Sequence, residues 1–190
     1  MKLDHPKLIK SLRLAYSAER AASFAYIGHA GSLSDPTEKA KVSEIEQDEW
    51  EHRAHVLKIM KQYGVSISIY YEIKYWWIGR LFGSSCYLIG RFMPYFFAGK
   101  LESGNVCEYF RMMHCFHSLG IEEHDEVLYE MGIKEKAHEV YFLEMIKDAC
   151  WLPLFEKLFS WGVNESLNDV DLENAKSLEE SKVYCSKFNG

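Results

Sequence analysis

Asp48-Glu49-Trp50-Glu51-His52 and Lys134-Glu135-Lys136-Ala137-His138 repeat one spacing, Glu-x-x-His. Residues three apart on a helix share a face, so each pair aims a carboxylate and an imidazole the same way. A lone glutamate precedes each pair at helix-hairpin distance: Glu19 lies 30 residues before Glu49, and Glu108 lies 27 before Glu135. Four helices bearing Glu, Glu-x-x-His, Glu and Glu-x-x-His make the ligand set of a dinuclear carboxylate site in a helical bundle. One Glu-x-x-His arises easily by chance. Two of them, each with a partner glutamate, do not.

The surroundings of these residues carry helical periodicity. Val42, Ile45, Glu49, His52, Val56 and Ile59 follow the 3.6 period, as do Leu128, Met131, Glu135, His138, Phe142 and Met145. Glu and His interrupt two apolar seams that would normally exclude charge. Leu12, Ala15, Tyr16, Glu19, Ala22, Ser23 and Tyr26 share a face on a first helix predicted from about Pro6 to Ala30. Thr37 or Asp35 caps a second, which ends near Tyr63 and Gly64. A third runs from about Glu102 to Leu119, with Leu101, Asn105, Glu108, Met112, Cys115 and Leu119 aligned. Gly120 stops it. The fourth runs from Ile121 or Glu122 to Asp148.

Hairpin arithmetic levels the ligands. Glu19 is 12 residues before Gly31 and Glu49 is 12 after Thr37, so both sit roughly 18 Å from their turn. Glu108 is 12 before Gly120 and Glu135 is 15 after it. Glu102, the rival for the third helix, would sit about 9 Å further from that turn, which favours Glu108. Glu49 and Glu135 are placed to bridge two ions. Glu19 and Glu108 would each hold one terminally, with His52 and His138 completing the sets. Such an oxygen-rich site suits two iron ions, with manganese as the other candidate, and the reduction of dioxygen or peroxide. Tyr16, Tyr26 and Tyr141 are candidates for orienting the histidines.

Between the second and third helices, within a linker of about residues 65–100, runs the apolar stretch Tyr75–Phe97. Arg80 and Arg91 leave ten uncharged residues between them, against about 20 for a membrane span. It reads as a crossover along a bundle of ferritin topology, or as an interfacial segment on a membrane surface. Trp151–Trp161 reads as a short apolar helix, and residues 163–190 as a polar, acidic, loosely ordered tail.

Composition narrows the classes. The chain has 190 residues, 48% hydrophobic and 15% aromatic, enough for one domain with a real core, set at 1–162. A net charge of −6 argues against a nucleic-acid binder with a broad basic surface. The N-terminal stretch has no apolar core long enough for a signal peptide. Cys86, Cys107, Cys115, Cys150 and Cys185 form no Cys-x-x-Cys and read as free thiols of a reduced, cytoplasmic protein, or one peripheral on the inner face of a membrane.

Ala18-Glu19 followed by Ala22, Tyr26 and Gly28, then Glu49, His52, Gly64, a glycine-interrupted apolar linker and Gly99-Lys100, resembles the demethoxyubiquinone hydroxylase family of ubiquinone biosynthesis. His29 stands where that family usually has Gln, and Arg20 where a small apolar residue is common. The resemblance covers about residues 10–148. It implies an all-α, ferritin-like four-helix bundle with a long apolar crossover between the second and third helices; the short C-terminal helix read at Trp151–Trp161 is this chain's own addition. It also implies a di-iron monooxygenase that hydroxylates a quinol-like, apolar substrate with dioxygen at a membrane surface, with electrons from NADH. A homodimer is compatible with it. Two other readings remain: a rubrerythrin-like or ferritin-like protein that reduces peroxide or oxidises iron, and a metal-free helical module that binds a membrane or partner.

Overall fold

The computed structural model describes residues 3–159, and every regular element there is an α-helix. The tail at 163–190 and the end of the Trp151–Trp161 segment lie outside the described residues. The chain divides into two compact units, Met1–Arg91 and Phe92–Gly190.

The first unit holds α1 (Pro6–Ser32), α2 (Pro36–Gln62) and α3 (Ile69–Ser85). Each start has a local cause. The His5 ring accepts the Leu8 N–H at 3.0 Å, and Pro6 takes the first turn, where its missing N–H costs nothing. Asp35, rather than Thr37, caps α2 and accepts from the Thr37 and Glu38 amides at 2.8 and 2.9 Å. Gly64 at φ 65° closes α2 through a bond from the Val65 amide to the Met60 carbonyl. Ser68 caps α3, its side chain accepting from the Tyr71 amide at 3.4 Å.

α1 packs against both α2 and α3. Phe24 meets Trp50 edge to face with centroids 5.8 Å apart, worth about 1 kcal/mol beyond buried area. The α1–α3 crossing is close because glycines line it. A Cβ on Gly79 would come within 2.6 Å of the Ala21 carbonyl, and one on Gly28 would overlap the Gly83 backbone. Arg91 closes the unit by gripping Glu38 through two bonds of 2.8 and 3.1 Å.

The second unit holds α4 (Phe92–Ser118), α5 (Asp125–Glu144) and α6 (Leu152–Phe159). The apolar stretch 75–97 is therefore not one piece: α3 takes its first half, and α4 begins ten residues before the expected Glu102. Pro94 permits that start, since it falls in the first turn. Gly120 at φ 71° ends the turn after α4. α4 and α5 pack together, Gly99 against Leu143 and Gly132 against the Phe110 ring. Gly132 thus sits inside a helix because an aromatic ring occupies the space of its side chain. Phe155 and Phe159 of α6 pack on Phe92, Phe96 and Phe97 of α4. Lys100 Nζ donates to the Phe159 carbonyl at 2.8 Å.

Candidate metal centre

In the first unit three ligand candidates come together. Glu19 of α1 and Glu49 and His52 of α2 are all buried. Each offers a donor atom, and these lie within 4.8 Å of one another. The apolar seam of α2 is legible in full: Val42, Ile45, Val56 and Ile59 are buried above and below the pair. Two carboxylate charges within 4.8 Å of one another repel by roughly 3 kcal/mol or more even at an effective dielectric of about 20. Burial adds a desolvation cost of several kcal/mol per ion. A divalent cation among them offsets both.

The second unit carries the same chemistry on α4 and α5. Glu135 and His138 are buried, and Glu102 joins them with donor atoms within 4.8 Å. Glu108 is not in that group. Its side chain is about one-third exposed and lies 3.8 Å from Arg111. The preference for Glu108 rests on axial level, and helix phase decides instead. The buried stripe of α4 runs through Tyr95, Ala98, Glu102, Val106, Tyr109, Met113 and Phe116. Leu101, at the head of the expected inner face, is exposed, and Asn105, Glu108 and Cys115 are only half-buried. The pairing of Gly99 with Leu143 and of Phe110 with Gly132 puts Glu108 about level with Glu135 and Glu102 about level with His138. Level alone therefore does not choose between them. Asn105 donates to Glu102 Oε2 at 3.0 Å and orients it.

Further polar and aromatic groups lie on these helices and on α3. The Arg53 guanidinium lies 3.6 Å from the centre of the Tyr16 ring and donates to the Tyr16 carbonyl. Tyr26 is buried in α1. Tyr141 packs its ring beside Tyr95 and Phe142. Lys136 and Glu139, both buried, pair at 2.9 Å in the same turns of α5 as Glu135 and His138. Glu72 of α3 takes bonds from Arg53 and Ser17. Burial alone would raise its carboxyl, but those bonds and the charges of Arg53 and Arg20 hold it below the usual range. Neither Glu72 nor the Lys136–Glu139 pair has a signature in linear spacing.

Cys86, Cys115 and Cys150 are free, and burial pushes the Cys86 thiol up to about 11. Cys107 is disulfide-bonded. The expectation of free thiols throughout fails there, and cysteine usage no longer argues for a reducing compartment. No described helix is long and apolar enough to cross a membrane.

No family model, curated protein or solved structure matches this chain.

Proposed function

We propose that the two triads, Glu19–Glu49–His52 and Glu102–Glu135–His138, hold two iron ions, and that the protein is an oxygen-dependent monooxygenase of ferritin-like type. The observation that carries this reading is the duplication. Each unit buries one lone glutamate beside one Glu-x-x-His pair, with donor atoms within 4.8 Å in each. A donor set of carboxylates with one imidazole per triad fits iron or manganese better than a thiophilic metal. Bound iron would supply the reductive activation of dioxygen.

The residues of the chain set the conditions for that chemistry. Apolar neighbours such as Val42, Ile45, Val56, Leu128 and Phe142 are fully buried and keep water from the carboxylates. Asn105 donates to one oxygen of Glu102 and helps hold its carboxylate among the donor atoms.

A membrane-surface, quinol-like substrate finds its support in α3. Ile69, Ile73, Trp77 and Leu81 recur every four residues and are exposed, as are Lys74 and Arg80 near them. Monomeric proteins rarely expose such a continuous apolar face without using it. Cationic side chains beside it suit anionic headgroups.

The test is metal stoichiometry after anaerobic iron loading, with wild type beside Glu49→Ala and Glu135→Ala, followed by exposure to oxygen. Two irons per chain, lost in both variants, with an oxygen-dependent absorbance change, support the reading. Iron uptake indifferent to both glutamates returns the chain to a metal-free binding module. Turnover of peroxide without any action on quinol analogues would favour the peroxide-reducing alternative.

A further inference from the structure

We propose that Glu72 is a positioning residue for the Glu19–Glu49–His52 triad. It spaces the ligand-bearing turns of α1 and α2 and ties them to α3. This rests on the metal reading for the triad, and goes beyond it by assigning a role to a helix that carries no ligand.

One carboxylate collects four hydrogen bonds from two helices. Glu72 Oε1 accepts from Ser17 Oγ at 2.8 Å and from Arg53 Nη1 at 3.1 Å. Its Oε2 accepts from Arg53 Nη2 at 2.7 Å and from Arg20 Nη1 at 3.0 Å. The donors flank the ligands in sequence: Ser17 and Arg20 bracket Glu19, and Arg53 follows His52. Arg53 is further held by the carbonyl and ring of Tyr16, one turn before Glu19. A displacement of Arg53 or Arg20 therefore moves the helical turns from which the ligands project. A geometric error of about 1 Å is enough to degrade a metal or catalytic site.

Docking α3 does not by itself call for this arrangement. The C-terminal half of α3 is seated by Gly79 and Gly83 against Ala21, Phe24 and Gly28, with the Arg80 guanidinium 4.3 Å from the centre of the Phe24 ring. An apolar residue at position 72 could seat the N-terminal half in the same way and avoid desolvating a carboxylate and two guanidiniums. The planar, two-pronged pairing of Arg53 with Glu72 instead fixes direction as well as distance. The same pairing makes α3, whose outer face is apolar and exposed, mechanically continuous with the triad.

The experiment loads full-length protein with ferrous iron anaerobically and follows its release to a ferrous chelator. Glu72→Gln is expected to release iron about tenfold faster, the size of effect typical for a group that orients metal ligands. Glu72→Asp should recover part of that loss. Far-ultraviolet circular dichroism should match wild type. Release from a folded Glu72→Gln at the wild-type rate overturns the assignment. Should that variant fail to fold, Arg20→Met decides, since it removes one of the four bonds: faster release supports the role and unchanged release overturns it. Hydrogen exchange of the metal-free protein separates this inference from the metal reading. Wild type that takes up no iron defeats the metal centre and, with it, the positioning role. Wild type that takes up iron, with exchange at 14–20 and 50–56 unaltered in Glu72→Gln, overturns Glu72 alone.

Discussion

Lys136 Nζ stands 2.9 Å from Glu139 Oε2, and both side chains are buried in the two turns of α5 that carry Glu135 and His138. A buried ion pair is expensive to break and inexpensive to replace. Lys136→Met alone removes the cation beside the buried Glu139 carboxylate and should cost about 3–5 kcal/mol. Lys136→Met with Glu139→Leu removes both charges and should return stability to within about 1 kcal/mol of wild type. Urea unfolding of the three proteins decides. A single variant as stable as the double would mean that the pair is not desolvated.

Glu102 and Glu108 make a sharp contrast because they lie on different stripes of α4. Glu102→Ala should lower iron uptake, since Glu102 shares donor distance with Glu135 and His138. Glu108→Ala should leave uptake intact and change stability by no more than about 0.5 kcal/mol, as expected for a half-exposed residue. Iron counted after anaerobic loading checks both. The opposite ranking would restore the axial-level argument.

His29 introduces a pH dependence. Its ring is buried near the end of α1, and that desolvation lowers its pKa from 6.5 to about 4, with Glu38 opposing and Arg91 assisting. Above pH 6.5 the ring is neutral in both folded and unfolded chains. As pH falls from 6.5 to about 4, the unfolded chain takes up the proton first and stability drops. The full effect is roughly 3 kcal/mol. His29→Asn should flatten this part of the stability-versus-pH curve between pH 7 and 4 relative to wild type. Parallel curves would exclude His29 as the source.

Two glycine substitutions should act in opposite directions. Gly83→Ala puts a methyl 2.5 Å from the Phe24 carbonyl, and should cost about 1–3 kcal/mol as α3 is pushed from α1. Gly104→Ala meets nothing within 4 Å in the middle of α4. It should stabilise by up to about 1 kcal/mol through helix propensity. Thermal unfolding midpoints of the two variants test the pair.

The outer face of α3 gives a membrane prediction. Phe82 is exposed beside Leu81 on that helix. Phe82→Glu should reduce co-sedimentation with anionic liposomes by several-fold, with iron uptake unchanged. Strong binding that survives the charge would remove α3 from the interfacial role.

Much of α2 and α5 was legible in the sequence. Their apolar residues recur on one stripe between polar ones, so the 3.6 period has a single phase. The expected seam of α2 is buried at all six positions, and that of α5 at all but Met145, which is half-buried. The local signals at Pro6, Asp35, Gly64 and Gly120 act over a few residues and are readable for the same reason.

The helix α4 was not legible in this way. Tyr, Phe, Met, Cys and Leu surround it, so periodicity alone admits two phases. Packing against α5 buries the phase of Glu102 and leaves that of Glu108 half-open. The Glu72 clasp is a tertiary fact altogether. Its donors lie 55, 52 and 19 residues away, and only the crossing of three helices makes them neighbours. The sequence by itself determined the helices and the repeated carboxylate–histidine pattern, because those depend on short-range spacing. Which glutamate of α4 lies with the pair on α5, and what steadies the turns of α1 and α2, were decided by the tertiary structure, because burial and charge pairing act through space.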